Sequence, residues 1–168
     1  GIEPVPISVN ISREYIHTFD VVGEMLHLVN KYDIPIKLLE LEITETTDSE
    51  GVSDVVQKMK DAGFTMLMDD FGSGYSSLNM LQKTQFDVLK IDRGFLSEFM
   101  ESSRGRKIIS HTISMSRDIG LDIIAEGVET PEQASFLSDC GCDSAQGFYY
   151  SKPITQEEFD KMLVEVNK

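Results

Sequence analysis

Apolar positions along the chain fall into short runs, each followed by a longer stretch of helical spacing. The runs are Ile7-Ser8-Val9, Ile36 to Ile43, Phe64 to Met68, Phe86 to Ile91 and Leu121 to Ala125, with a last segment reaching Gln146-Gly147-Phe148. After the first, Tyr15 through Val29 keeps apolar residues three or four apart behind Ser12, a helix-capping residue type. A second helix is predicted from about Glu50 to Ala62, stopped by Gly63. Leu78 to Thr84 predicts a third, and Phe95 to Ile119 a long fourth that ends at Gly120. Thr130-Pro131-Glu132-Gln133 combines an N-cap, a proline at the first helical position and a capping-box glutamine. Thr155 with Glu158 forms a second capping box that opens the last helix. Strand and helix therefore alternate six times, and strands this apolar are those buried on both faces by crossover helices.

Such alternation admits an open doubly wound sheet or a closed (β/α) barrel, and the polar residues separate the two. Asn10, Glu42, Asp69 with Asp70, Lys90 with Asp92, and Glu126 all fall at the C-terminal ends of successive strands. In a barrel those ends converge on one mouth, whereas an open sheet concentrates its site at a single crevice. The expected fold is thus α/β, a TIM-like barrel. It is expected to be incomplete, with about six of the eight strand-helix units of the full fold. No charge-rich linker or low-complexity tract divides residues 1–168, so a single domain is expected.

The stretch on which the chemistry centres is Phe64 to Leu78, FTMLMDDFGSGYSSL. An ionised carboxylate on a buried strand costs several kcal/mol unless a metal or a cation compensates it. Asp69 and Asp70 are therefore either solvated at a strand tip or delivered to a site. Asn10, Glu42 and Asp69 offer oxygen ligands, while His17, His27 and His111 lie in predicted helices away from strand ends. Hard oxygen donors suit Mg²⁺ or Mn²⁺ rather than zinc. Asp70 with Glu126 provides for a second ion, and two metals roughly 3.5–4 Å apart are the arrangement that clamps a phosphodiester. Lys90 neutralises phosphate or orients water in that reading, or else is an ion-pair partner of Glu42. Asn10 and Asp92 have the plainer alternative of capping. The net charge of −14 argues against a DNA or RNA polymer or an anionic membrane surface as partner. Cys140 and Cys142 are too closely spaced for a metal hook and are expected to be reduced thiols. No apolar run approaches the length of a membrane helix, so a cytoplasmic domain is expected, in a parent that carries any membrane anchor elsewhere.

Read together, SVNIS, ELEITE, DDFGSGYSSL, VLKIDRGF, AEGVET and QGFYYSKP resemble the EAL family of bacterial cyclic di-GMP phosphodiesterases. The resemblance covers nearly the whole chain. It implies hydrolysis of cyclic di-GMP to linear pGpG with two Mg²⁺ or Mn²⁺ ions. It also implies that Asn10, Glu42 and Asp69 are metal ligands and that Asp70 and Glu126 complete the second site. Lys90, Glu129 and Asp70 are the implied catalytic set, and Gln146 and Asp92 the implied substrate contacts. Glu45 resembles the glutamate that braces the loop containing Gly72 and Gly74. A homodimer near the loop and helix after the paired aspartates is implied as well.

The Glu-Ala-Leu tripeptide that names the family is absent. The chain therefore reads as the C-terminal three quarters of the barrel, cut from a longer signalling protein with further domains such as GGDEF or sensor modules. The missing glutamate is a metal ligand of the family, so the expectation is a competent parent and a fragment weak or inactive alone. Two rivals stand beside this. A receptor that binds cyclic di-GMP without cutting it need not keep Lys90 and the full acid set. An enolase-like barrel also places carboxylates and a lysine on strand ends, but leaves the glycine loop and Gln146 without a job.

Overall fold

The computed structural model of the chain describes residues 4–18, 20–44, 51–74 and 77–166. Six parallel strands form one sheet: β1 (Ile7–Asn10), β2 (Leu39–Thr44), β3 (Thr65–Phe71), β4 (Val88–Ile91), β5 (Asp122–Ala125) and β6 (Ser144–Ala145). Their order across the sheet is their order along the chain. That order decides between the two architectures. A doubly wound sheet reverses direction at a switch point, whereas a barrel adds each strand on the same side of the last. The sheet is accordingly a curled part of a (β/α) barrel, with β1 and β6 as its two end strands.

The crossovers are α1 (Arg13–Thr18), α2 (Val21–Lys31), α3 (Val52–Asp61), α4 (Ser77–Lys83), α5 (Arg93–Met100), α6 (Ser103–Asp118) and α7 (Pro131–Asp139), and α8 (Gln156–Val166) closes the chain. Both capping boxes form: Thr130 with Gln133 at α7, and Thr155 with Glu158 at α8. Gly63 takes φ 101 after α3, the left-handed turn that glycine permits.

Three expectations are corrected. The apolar spacing of Tyr15 to Val29 belongs to two helices, because the Asp20 side chain accepts from Gly23 N and starts α2 afresh. Phe95 to Ile119 is likewise two helices, with Ser102 capping α6 through Gly105 N at 2.9 Å. There α5 and α6 pack so closely that a methyl group at Gly105 would stand 2.0 Å from the Phe99 carbonyl oxygen. The strand expected from Ile36 starts only at Leu39, since Pro35 opens a 3₁₀ turn over Ile36–Leu38 closed by Leu38 N donating to Pro35 O.

Strand alternation sorts the side chains. Leu41, Ile43, Met66, Met68 and Leu89 pack outward with α1 to α4 in one apolar cluster. Ile91, Ile123 and Ala125 pack with α5 to α7 in a second. Residues of the opposite parity face the barrel interior, and these carry the chemistry.

Candidate metal centre

The strand registers pair Asn10 with Glu42, Glu42 with Leu67 and Thr44 with Asp69, and Lys90 with Ile124. With a side-chain period of two, Asn10, Glu42, Asp69, Lys90 and Glu126 all fall on the inner face. Lys90 is their hub: its Nζ lies 2.8 Å from Glu42 Oε1, 3.0 Å from Asp69 Oδ1 and 2.8 Å from Glu126 Oε1. Carboxylates from β2 and β3 and from the end of β5 thus meet one ammonium on β4.

Asp70 should point the other way, toward the helices. It does not, because the register between β3 and β4 shifts between Met68 and Phe71 and Asp70 takes φ 58. This is a bulge: one extra residue with a left-handed backbone turns both aspartates to the same face before Phe71 rejoins the core. As a result Asp69, Asp70 and Glu126 can bring one oxygen each to within 4.8 Å of one another. A non-glycine residue held in this conformation carries strain that the surroundings impose, a feature of functional sites. We expect Asp70→Gly to raise the stability of the metal-free chain by about 1 kcal/mol while weakening Mn²⁺ binding. Urea denaturation and calorimetry on the same samples check both halves.

The electrostatics leave the site short of positive charge. Glu42 is 3% exposed and Asp69 8%, and with Asp70 and Glu126 they set four carboxylates against one lysine. Burial alone pulls the Lys90 ammonium down, but its contacts with Glu126, Glu42 and Asp69 outweigh that and leave its pKa above the ordinary lysine range. Burial is also the largest cause that raises Glu126, opposed by Lys90. Asp70 is raised by burial first, and then by the charges of Asp69 and Asp92. Glu42 Oε1, buried at the centre of the cluster, has the Lys90 ammonium as its partner at 2.8 Å. An excess of buried negative charge and a set of hard oxygen donors both fit a divalent cation such as Mg²⁺ or Mn²⁺.

The raised carboxyls give a pH dependence. A group that holds its proton more tightly folded than unfolded gives full stability below the ordinary carboxylate range and loses it as pH rises through its raised value. The metal-free chain should therefore lose urea stability as pH climbs above about 4, and Mn²⁺ should abolish that part of the loss.

The remaining expected residues divide. Gln146 Nε2 donates to Glu126 Oε1 at 2.6 Å, which orients that acid from the segment after β6. Glu129 sits outside the acid cluster: its carboxylate pairs with Arg93 at 2.8 Å and its backbone N–H is held by Gln133 Oε1. Asp92 Oδ2 accepts from Gly94 N and Phe95 N, so its side chain caps α5. Asn10 stands beside Glu42 on an exposed strand. Gly72 runs at φ 97 after the bulge, followed by Gly74 in the same loop. Glu45, expected to brace that loop, lies outside the described residues. Sequence reasoning missed the bulge and Arg93. The bulge had a signal in two adjacent acids that interrupt an apolar run resumed at Phe71, and Arg93 directly follows the capping Asp92.

A family model described as the EAL domain matches residues 2–153. Cyclic di-GMP phosphodiesterase NbdA of Pseudomonas aeruginosa is 31% identical over 166 residues, which cover 97% of this chain and 21% of that protein. The crystal structure of the EAL domain of Mycobacterium smegmatis DcpA superposes with a TM-score of 0.89 at 33% identity, covering 95% of this chain and 73% of that one. A structure described as PaMucR phosphodiesterase in complex with c-di-GMP gives a TM-score of 0.84 at 34% identity, covering 92% and 64%. The chain spans only about a fifth of the length of curated relatives such as NbdA.

Proposed function

We propose, from the premise that this chain belongs to the EAL domain family, that it contributes to divalent-cation-dependent hydrolysis of cyclic di-GMP to linear pGpG. The observation that carries this reading is the convergence of Asp69, Asp70 and Glu126, two of which, Asp69 and Glu126, also pair with the inner-face Lys90. In the reaction a water oxygen bonds to phosphorus, the bond from phosphorus to the ribose 3′ oxygen breaks, and that oxygen takes up a proton. Asn10, Glu42 and Asp69 would hold one ion, and Asp69, Asp70 and Glu126 a second. Two such ions supply an acidified water and neutralise the phosphate. Lys90 orients the water and stabilises the charge that develops on the phosphate, while Glu129 serves as the acid or base at the rim. Gln146 and Asp92 are assigned to the nucleotide. A cavity of about 530 Å³ beside Glu126, lined in part by Arg93, Gln146, Phe148 and Lys152, offers room for a base.

The same reading places the domain in the cytoplasm, in keeping with free Cys140 and Cys142. Among the described residues no helix is long and apolar enough to cross a membrane. Homodimerisation is supported by an apolar groove beside the glycine loop, lined by Phe71, Leu78, Phe95, Phe99, Ile108 and Met115. Leu78 in that groove is 61% exposed. Further signalling domains fit the length of the relatives, one of which is named a bifunctional diguanylate cyclase/cyclic di-GMP phosphodiesterase. Chromatography of cyclic di-GMP incubated with Mn²⁺ tests the reading, on this chain and on a form extended through the Glu-Ala-Leu segment. Turnover to pGpG by the extended form, and far less by this chain, is the expected result. Tight binding without turnover by the extended form would replace the enzyme with a receptor.

A further inference from the structure

The first turn of α5 touches both loops that carry acids of the candidate centre. The Phe95 ring fills the space above Gly72, where a methyl group would stand 2.4 Å from Phe95 Cδ2. The same ring meets Phe71 edge-on, with centroids 6.1 Å apart. Two residues earlier, Arg93 lays its aliphatic stem across Gly127, where a methyl group would stand 2.3 Å from Arg93 Cγ. The guanidinium then continues to Glu129. Gly72 lies two residues after Asp70, and Gly127 directly follows Glu126. Both glycines have positive φ, 97 and 63, so neither position accepts a side chain without strain.

The helix that carries these contacts is itself fixed. Asp92 Oδ2 ties its start, and Leu96, fully buried, anchors it to the second apolar cluster. Loops with glycines are soft by default, whereas ligand carboxylates must be held to within a fraction of an ångström by their supporting shell. An exposed Arg–Glu pair contributes little stability by itself. What the Arg93 contact supplies is placement.

We propose that Arg93 and Phe95 are positioning residues of the metal centre: the Arg93 stem holds the Glu126–Glu129 loop against β6, and the Phe95 ring holds the loop after Asp70. The inference rests on Asp70 and Glu126 being metal ligands. It makes a prediction whose sign differs from simple electrostatics. Loss of a positive charge near a cation site should strengthen cation binding, whereas loss of positioning should weaken it.

The test is calorimetry with Mn²⁺ on the wild-type chain and on Arg93→Ala, Arg93→Met and Phe95→Leu, with urea denaturation of each. Arg93→Ala and Phe95→Leu are expected to bind Mn²⁺ about tenfold more weakly or worse, and Arg93→Ala to do so at unchanged urea midpoint. Arg93→Met keeps the stem without the charge and is expected to stay close to wild type. Mn²⁺ binding by Arg93→Ala as tight as wild type or tighter would overturn the inference. So would an equal loss in Arg93→Met, since the stem would then place nothing. A wild-type chain that binds no Mn²⁺ would instead overturn the metal reading on which the inference rests.

Discussion

Lys90→Met is expected to destabilise the metal-free chain by about 3–5 kcal/mol at neutral pH, the usual cost of stripping one partner from buried ionic contacts. In the native arrangement a single ammonium stands within 3.0 Å of carboxylates supplied by three different strand ends. Methionine fills a similar volume but compensates none of the charge, so Glu42 and Asp69 would remain buried and unpaired. Lower pH should recover part of the loss by protonating the acids, and Mn²⁺ should recover more by replacing the missing cation. Urea denaturation with and without Mn²⁺ measures both. Unchanged stability in Lys90→Met would mean that Lys90 is not the counter-charge of this cluster.

Gly147→Ala is expected to cost about 3 kcal/mol, at the upper end for overpacking, because the clash is with backbone rather than with a movable side chain. A methyl group there would stand 2.2 Å from Val128 O and 2.3 Å from Val128 N. Those atoms make the ties that join the β5 and β6 loops, Val128 N to Gln146 O and Tyr149 N to Val128 O. Pushing the loops apart would also pull Gln146 from Glu126, which couples the stability loss to weaker Mn²⁺ binding. A fluorescence-monitored melt, read beside calorimetry, would show the two losses together. Stability lost without any change in Mn²⁺ affinity would separate the β6 segment from the site.

Most of the framework was legible because it rests on periodicity. The alternation of strands and helices predicts six strand-helix units, and the strand-end positions of Glu42, Asp69, Lys90 and Glu126 predict a shared mouth; the register places the strand residues among them on one inner face. What periodicity misses is local competition. Asp20 restarts a helix inside a stretch whose apolar spacing continues on both sides, and Ser102 does so within the polar run between Met100 and Ile108, because one capping side chain satisfies a backbone N–H that the spacing does not see. Pro35 delays β2 by a different device, a 3₁₀ turn closed by backbone alone, Leu38 N donating to Pro35 O. The bulge at Asp70 breaks the rule of two on which the whole face argument depends, and so it lay beyond any strict alternation. Asp92 shows the converse, since the plainer reading, a helix cap, is the one its hydrogen bonds display. Arg93 went unnoticed because its part depends on Gly127, which is 34 positions away in sequence and adjacent only in the fold.

The most direct test of the metal centre is anomalous diffraction from crystals of this chain soaked in Mn²⁺. A manganese peak held by carboxylate oxygens of Asp69, Asp70 and Glu126 is the predicted result. Crystals that take up Mn²⁺ only elsewhere, with Glu42, Asp69 and Glu126 still gathered on Lys90, would contradict it.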